Sequence, residues 1–283
     1  MIATLDLQPT QNHSSDEDHF IGPSQWMPHG RVFGGQVLAQ SLVAATRTID
    51  AREVHSMHGY FLRPGDINLP ITFSVDRLRD GRSFSTRRVQ AFQKNEAIFS
   101  MIASFQEHDP GLEHQDEFPS GIPDPESLPS AADLIGDNPH PVAQYWSKAR
   151  PFDMRHVPSA IYFKVEGEPV AHQAVWLKAL GELPESQELH TAALAYASDY
   201  SILESIYRRH GIAWSHPGLK SASLDHAMWF HRPFRADQWM LYQQTSISTS
   251  NARGLAEGHI FTQDGLLAVT VVQEGLTRLI SKS

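Results

Sequence analysis

The chemistry open to this chain is limited by the residue types that it lacks. The sequence contains no cysteine, which excludes thiolate nucleophiles, disulfides and cysteine-bound zinc. A serine nucleophile of the G-x-S-x-G type is also disfavoured, because the nearest segment, GRSFS at residues 81–85, lacks the last glycine. General acids and bases built from carboxylates and imidazoles remain, together with arginines that could bind an anion.

The 16 histidines do not form a recognisable metal motif. His55 and His58 are three residues apart, a spacing that suits a helix face but not a strand, and no H-E-x-x-H occurs. Asp225 and His226 are adjacent, so on a strand they face opposite sides and do not form a dyad. His58 is a candidate acid or base, although a histidine with aromatic neighbours in a strand is more often structural. We therefore predict no metal and no cofactor.

Two parts of the chain are weakly similar copies of one unit. HSMHGYFLRP and SLDHAMWFHRP align on Phe61 and Phe230, an offset of 169 residues. The same offset sets QAFQKNEAIFSMIASFQ over HIFTQDGLLAVTVVQEG and pairs Phe92 with Phe261, without a gap. A chance alignment would rarely keep its register over both segments. The chain is therefore interpreted as a fused dimer.

Each copy predicts one helix followed by strands. In the first, residues 35–49 are good helix formers with apolar side chains nearly all round, which is typical of a buried helix. Strand-like runs follow at residues 57–62, 71–78, 85–93 and 97–106. In the second, an Ala-rich helical stretch from Leu189 to Arg209 precedes strands that start at Ser221, Trp239, Gly254 and Leu266. One helix wrapped by an antiparallel sheet, twice, is an α+β double hotdog with two antiparallel sheets.

Composition and charge set the remaining limits. We predict an N-terminal hotdog at residues 1–110, a Pro/Gly-rich crossover linker at 111–158 and a C-terminal hotdog at 159–283. The net charge of −9 argues against nucleic-acid binding, and no apolar run approaches the roughly 20 residues of a membrane span. With no secretory signal at the N-terminus, we expect a cytoplasmic location. The last three residues, SKS at 281–283, are similar to the peroxisomal Ser-Lys-Leu signal but end differently, so a peroxisomal location is less favoured.

Seven motifs resemble the acyl-CoA thioesterase II (TesB-type) family. They are RVFGGQVLAQSL, HGYFLRPGD, LRDGRSFSTRRV, YASDY, SLDHAMWFHRPFRADQWMLY, ARG and TQDGLLAVTVVQEG, in order from Arg31 onward. The resemblance implies a double hotdog that hydrolyses acyl-CoA thioesters in fatty acid metabolism. It also implies that Asp199 in YASDY, Ser223 in ASLDH and Gln273 in VVQEG organise an attacking water. Asp199 would then be the general base, and its direct attack to form an acyl-enzyme anhydride is the alternative.

The residues alone are compatible with these roles but do not reveal them. An aspartate inside an Ala-rich helical stretch is usually a solvated surface residue, although Ala195 and Ala197 leave room for a ligand around Asp199. Gln273 shares strand parity with an apolar stripe, so a buried glutamine satisfied by backbone is the alternative. Ser223 begins a strand, where an ordinary edge hydroxyl is common.

The first copy offers no equivalent carboxylate. The offset sets Ser104 opposite Gln273, and a comparison of the helices sets Gln36 or a neighbour opposite Asp199. We therefore expect one catalytic site, in the C-terminal hotdog, with the first half shaping the acyl pocket. The predicted substrate-binding residues are Gln36, His58, Arg88 and Arg253, and the arginines are hypothesised to contact CoA phosphates. Solvation of a sheet edge is the alternative for arginines of the LRDGRSFSTRR segment.

Two other functions stay open at this stage. A hotdog enoyl-CoA hydratase or dehydratase would use an Asp–His pair, but that motif is absent and VVQEG is present. A non-catalytic acyl-CoA-binding protein would keep the pocket and lose the chemistry. The partners predicted in every case are acyl-CoA and further copies of the chain in a homo-oligomer.

Overall fold

A computed structural model describes residues 1–10 and 17–280 of the chain. The peroxisome-like ending at residues 281–283 lies outside the described residues. The helices are α1 (Ile2–Leu5), α2 (Gly34–Thr46), α3 (Ala131–Ile135), α4 (Pro141–Gln144), α5 (Gln187–Ser198) and α6 (Glu204–Arg209), with a 3-10 turn at Pro125–Ser127 and a π-helical turn at Tyr145–Ala149. The strands are β1 (Gln8–Thr10), β2 (Asp18–Gly22), β3 (Glu53–Phe61), β4 (Ile71–Asp80), β5 (Phe84–Gln93), β6 (Glu96–Gln106), β7 (Phe152–Val157), β8 (His172–Ala179), β9 (Leu219–Ser223), β10 (Asp225–Phe230), β11 (Met240–Ser250), β12 (Arg253–Thr262) and β13 (Leu267–Leu279).

Each half wraps an antiparallel sheet around one buried helix. In the N-terminal half the strand order β1-β2-β4-β5-β6-β3 surrounds α2, whose Leu38, Ala39 and Leu42 are almost fully buried. In the C-terminal half the order β10-β13-β12-β11-β8-β7 surrounds α5. Small side chains on α5, such as Ala193 and Ala195, let the sheet and α2 approach it closely. The architecture is the predicted α+β double hotdog.

The internal repeat is present in the strands themselves. The bounds of β5 and β12 differ by 169 residues at both ends, the offset between Phe61 and Phe230. The strands β4 and β11 begin with the same difference. The helices do not follow this offset, because α6 and the turn before it are inserted after α5 and have no counterpart after α2.

The two predicted sheets are joined into one. The strands β3 and β10 pair antiparallel, with His58 opposite Ala227, so the described strands form a single 13-stranded sheet. These two residues are themselves related by the 169-residue offset, which places a pseudo-twofold axis between them. The pairing satisfies the open backbone groups of two sheet edges. It also sets the first turn of α2 against the last turn of α5, because a Cβ on Gly35 would lie 2.2 Å from the Tyr196 carbonyl oxygen.

The crossover between the halves is partly built into the second sheet. β7 pairs with β8, so the sheet of the C-terminal half begins inside the predicted linker, residues 111–158. Earlier in the crossover, Phe118, Ile122 and Leu128 pack on a small apolar cluster that includes Trp176. These contacts fasten the crossover to the C-terminal half. The residue ranges of the two predicted hotdogs stay a prediction.

Candidate active site

Asp199 lies at the end of a helix rather than inside one. The single helix predicted from Leu189 to Arg209 is wrong: α5 ends at Ser198, Asp199 is its C-cap, and α6 starts at Glu204. Burial of Ile202 within the break and of Ile206 just after it holds the chain in this turn, although neither glycine nor proline marks it. The break frees the Asp199 carboxylate to leave the helix axis and approach the sheet.

The structure brings Asp199, Ser223 and Gln273 together. The Ser223 hydroxyl donates to Asp199 Oδ1 over 2.7 Å, and Gln273 Nε2 donates to the same oxygen over 2.9 Å. Gln273 Nε2 also lies 2.9 Å from Ser223 Oγ, to which it donates its second proton. The three side chains come from the end of α5, the end of β9 and the middle of β13. All three polar groups are hydrogen-bonded, and Ser223 and Gln273 each direct one donor toward the carboxylate.

The N-terminal half contributes backbone to this cluster. The Gly35 N–H donates to the Asp199 carboxylate, and a Cβ on Gly34 would lie 2.5 Å from Asp199 Oδ2. Only glycine leaves room for so close an approach of α2 to the carboxylate. No side chain caps the amino end of α2, so its positive dipole end faces Asp199 directly. The Gly-Gly pair of RVFGGQVLAQSL was the available sequence signal for this contribution, which the sequence reasoning missed.

Burial tunes the acidity of Asp199. Desolvation raises the pKa of this carboxyl to about 6, against the hydrogen bonds from Ser223, Gln273 and the Gly35 N–H, which lower it. The side chain is nonetheless partly exposed, so solvent or a ligand can reach it. A carboxylate with a pKa near 6 is ionised at neutral pH and is a stronger base than an ordinary aspartate. That combination suits a general base.

His226 is a site residue that sequence reasoning missed. It is fully buried on β10, where Nδ1 contacts Gln273 Oε1 and Nε2 lies 2.9 Å from Ser198 Oγ. Desolvation lowers the pKa of this imidazole to about 4, so it is neutral at pH 7. As predicted, Asp225 points elsewhere, and its Oδ1 accepts the Glu274 N–H over 2.7 Å. The residue type was visible in SLDH, but its neighbours were not.

Aromatic side chains from both halves surround the cluster. Phe33, just before α2, stacks on Tyr200 at a centroid distance of 4.5 Å and meets Tyr196 edge to face at 5.3 Å. The Tyr200 hydroxyl lies 3.0 Å from that of Tyr145. Phe61 completes the wall, since a Cβ added at Gly34 would lie 3.0 Å from its ring. This apolar lining excludes water from the carboxylate on one side and offers a surface to an apolar ligand.

Gln36 and His58 lie away from the three polar side chains. Gln36 is fully buried, where Oε1 accepts the Gln25 N–H at 3.0 Å and Nε2 donates to the Pro23 carbonyl at 3.0 Å. It therefore holds backbone groups of the segment before α2. His58 is exposed on the outer face of the sheet, with its ring 4.9 Å from that of Trp229.

The two predicted phosphate ligands are paired with carboxylates. Arg88 contacts Asp76 on the neighbouring strand, and Arg253 Nε lies 2.9 Å from Glu274 Oε1. Both guanidiniums are about half exposed on the sheet. Arg87, from the same segment as Arg88, is buried instead and bonds to Asp80 at 2.8 Å.

A second concave region lies at the opposite ends of the two central helices. It is a cleft of about 1910 Å³, and Asp199, Ser223 and Gln273 are not among its lining residues. Its walls include Arg47 after α2, His55 on β3 and Glu188 at the start of α5.

In residues 1–10 and 17–280, no three His, Asp or Glu side chains gather into a group that could hold a metal ion. None of the helices in that part of the chain is long and apolar enough to span a bilayer.

Family models and curated relatives that match this chain are all described as acyl-CoA thioesterases. Residues 22–106 match a model described as the acyl-CoA thioesterase N-terminal domain, and residues 147–276 match the acyl-CoA thioesterase model. The chain is 39% identical to acyl-coenzyme A thioesterase 8 of Homo sapiens, over 99% of this chain and 89% of that protein. It is 38% identical to acyl-CoA thioesterase 2 of Haemophilus influenzae, over 93% of each.

Solved structures agree with both the fold and the sequence match. The acyl-CoA thioesterase II TesB2 of Mycobacterium marinum superposes with a TM-score of 0.80 and 42% identity, over 100% of this chain and 98% of that one. A dehydratase domain of curacin polyketide synthase superposes with a TM-score of 0.58 at 7% identity, over 98% of each chain, which shows a shared fold alone.

Proposed function

This chain belongs to the acyl-CoA thioesterase family, and from that premise we propose that it hydrolyses acyl-CoA by means of a water molecule activated at Asp199, Ser223 and Gln273. The observation that carries the proposal is the convergence of two hydrogen-bond donors on Asp199 Oδ1, beside the uncapped amino end of α2. These donors fix the carboxylate in one orientation. Oδ2, the oxygen beside Gly34, is then the one that faces an incoming water.

The proposed reaction is a direct hydrolysis. Asp199 takes a proton from water as the water oxygen attacks the thioester carbonyl carbon. The carbonyl oxygen becomes an oxyanion, and the positive dipole end of α2 stabilises it. The intermediate then collapses: the carbon–sulfur bond breaks, and the CoA sulfur leaves with the proton that Asp199 held. The products are a fatty acid and free CoA, and Asp199 is again ionised.

The substrate-binding proposal is less closely tied to geometry. If Arg88 and Arg253 contact CoA phosphates, as we propose, the phosphates must displace or share the carboxylates of Asp76 and Glu274. Replacing a true contact should raise KM in a salt-sensitive way and leave kcat near normal. His58 is retained as a proposed contact only for ligand that reaches the outer face. From the sequence we also propose a cytoplasmic location and a homo-oligomeric state. Light scattering would test the oligomeric state.

The central test is thiol release from a series of acyl-CoA chain lengths. We expect free CoA to appear without added metal or nucleotide, and the dependence on chain length to define the acyl pocket. Hydration of an enoyl-CoA without thiol release would favour the hydratase alternative, and tight binding of acyl-CoA without turnover would favour a binding protein.

A single turnover in H₂¹⁸O tests for the anhydride route through water attack at the enzyme carbonyl of the anhydride; opening at the acyl carbonyl would give the same labels as direct hydrolysis. Direct attack by water puts the label in the fatty acid and leaves the peptide that contains Asp199 at its normal mass. Label recovered in the Asp199 carboxylate would instead indicate the anhydride route, because water opening the anhydride at the enzyme carbonyl leaves its oxygen there.

A further inference from the structure

The side-chain amide of Gln273 has one orientation that satisfies its neighbours. Its Nε2 carries two protons, and both are used, one toward Asp199 Oδ1 and one toward Ser223 Oγ, each at 2.9 Å. The Ser223 hydroxyl donates its own proton to Asp199 Oδ1. A flipped amide would direct Oε1 at a carboxylate, and two acceptors would then face each other. Something must therefore hold the amide against this flip.

His226 is placed to do so. Its Nδ1 contacts Gln273 Oε1, an atom that can only accept a hydrogen bond, so Nδ1 must carry the proton. The ring lies in the core with no exposed surface, where burial favours its neutral form. In a neutral ring with Nδ1 protonated, Nε2 is an acceptor. The Ser198 hydroxyl lies 2.9 Å from Nε2 and 2.9 Å from the Ala195 carbonyl oxygen, so in this tautomer its single proton must point to Nε2 rather than to that carbonyl.

The bonds form a directed chain. Ser198 donates to His226, His226 donates to Gln273, and Gln273 donates to Asp199 and Ser223. Ser198 and Asp199 are consecutive residues at the end of α5, so the chain leaves the helix, crosses β10 and β13, and returns to the next residue. Met228 packs against the same serine, at 3.7 Å from sulfur to oxygen. Fully satisfied buried networks of this kind fix a single arrangement of their members.

We propose that His226 is a positioning residue for the thioesterase reaction, which holds the Gln273 amide with its N–H groups toward Asp199 and Ser223. This inference rests on the proposed function. His226 does not touch the reacting atoms and gives no proton to substrate. It acts through Gln273, and Ser198 acts through His226 by fixing the tautomer. The ring is required as a neutral donor, not as an acid or base.

The test uses a matched set of variants at one position. His226→Leu removes the donor, His226→Asn keeps an amide N–H near the place of Nδ1, and His226→Gln offers its amide nearer the place of Nε2. We expect kcat to fall about 10- to 100-fold in His226→Leu, with KM little changed. His226→Asn should recover much of this loss, and His226→Gln should recover less. Wild-type turnover in His226→Leu would overturn the proposal.

Two further readouts distinguish positioning from packing. Gln273 lowers the pKa of Asp199, so a misplaced amide should move the acid limb of the kcat–pH profile to higher pH, whereas a loosened core alone would not move it. In a double-mutant cycle, His226→Leu should add almost nothing to Gln273→Ala, because its effect passes through that amide. Additive losses, or an unmoved acid limb, would overturn the proposal.

The tautomer can be read without any variant. In the wild-type protein labelled with ¹⁵N-histidine, His226 should be the neutral Nδ1–H form from about pH 5 to pH 8. The Nε2–H form, or a charged ring, would overturn the proposal even if His226→Leu failed to fold. The outcomes stay separate from the proposed function: if Asp199→Asn and Gln273→Ala are inactive and His226→Leu is normal, only this inference fails. If Asp199→Asn is fully active, the proposed function fails first.

Discussion

The two ends of the central helix pair are built alike and carry different chemistry. At one end, α5 finishes in Asp199, which meets Gln273 and the amino end of α2. At the other, α2 finishes in Arg47, and Ser104, which the 169-residue offset sets opposite Gln273, lies 2.8 Å from His55 Nε2. The backbone is the same framework, but only one of the two helices has a carboxylate as its C-cap residue.

The helix ends that face these positions also differ. Ser186 caps the amino end of α5, where its hydroxyl accepts the Leu189 N–H over 3.3 Å. The amino end of α2 has no side-chain cap and meets Asp199 through Gly34 and Gly35. An open helix terminus attracts negative charge. A capped terminus does so less, because one of its free N–H groups is already hydrogen-bonded to the capping side chain. Of the two amino ends, only that of α2 therefore combines an open helix terminus with a carboxylate at the C-cap of the neighbouring helix.

In the N-terminal half, Arg47 stabilises the fold. Its guanidinium lies 3.2 Å from Asp6 and bonds to the Leu7 carbonyl, which fastens the N-terminal segment beside the cleft. A guanidinium stays protonated at all ordinary pH values and cannot accept a proton from water. The equivalent position at the end of α2 thus supports the fold, whereas the role that we propose for Asp199 is in the reaction.

The largest effect should come from Asp199→Asn. Because a positioned general base contributes about 10²–10⁴-fold, kcat should fall by that factor while KM changes little. Steady-state thiol release measures both constants. The matched control is Arg47→Ala at the equivalent helix end, which should keep nearly full kcat. Normal turnover in Asp199→Asn, or an equal loss in Arg47→Ala, would remove the distinction between the ends.

Gly34→Ala tests the helix end that faces the carboxylate. Its Cβ would lie 2.5 Å from Asp199 Oδ2, so either α2 or the carboxylate must shift. We expect kcat/KM to fall about 10- to 100-fold, since small displacements of catalytic groups are costly. Ser186→Ala at the capped end of α5 should cost about 1 kcal/mol of stability and little activity. The reverse pattern would mean that α5, not α2, serves the substrate.

Gln273→Ala should cost about ten- to a hundredfold in kcat, because a hydrogen bond to a charged group contributes roughly 1.5–3 kcal/mol. Ser104→Ala, at the position that the 169-residue offset equates with it, should be close to normal. Gln36→Ala should lower the melting temperature more than the activity, since its amide bonds only to the segment before α2 and to Gln40. Equal losses of activity in the folded variants would show that the halves share the chemistry.

Local patterns in the sequence predicted more of the fold than of the candidate site. The repeat, the two buried helices and most strands followed from periodicity and register, because each depends on neighbours along the chain. The contact of Gly35 with Asp199 depends on the pairing of β3 with β10, which no local pattern encodes. The same holds for His226, whose partners come from α5 and β13.

Side-chain direction was the second point at which the sequence-based prediction and the structure differ. Strand parity places Arg88 on the face opposite buried Arg87, a separation that could have been read from the sequence. The trio itself required the resemblance, because Asp199 within an apparently continuous helical stretch gave no sign of the break that makes it a C-cap. Only tertiary burial of the following turn ends α5 there.

The smallest effect concerns pH, and it separates the role of Asp199 in catalysis from its cost to the fold. The pKa of Asp199 is raised to about 6 by burial, so kcat should rise with pH through about 6 and level off above it, as the carboxylate form accumulates. The folded state also binds this proton more tightly than the unfolded state, whose pKa is near 3.8. The free energy of unfolding should therefore fall as pH rises from about 4 to 6 on account of this group.

Asp199→Asn removes that penalty without a change of shape. The variant should be more stable than the wild type at pH 7.5 by about 1–3 kcal/mol, and the difference should vanish near pH 4, where the wild-type carboxyl is protonated. Urea denaturation at the two pH values measures this directly. Asp264→Asn is the control, since this exposed carboxylate lies in the turn between β12 and β13, outside the cluster. A stability gain that is equal at both pH values would show that the charge of Asp199 is not its source, and the base would then have to be sought elsewhere.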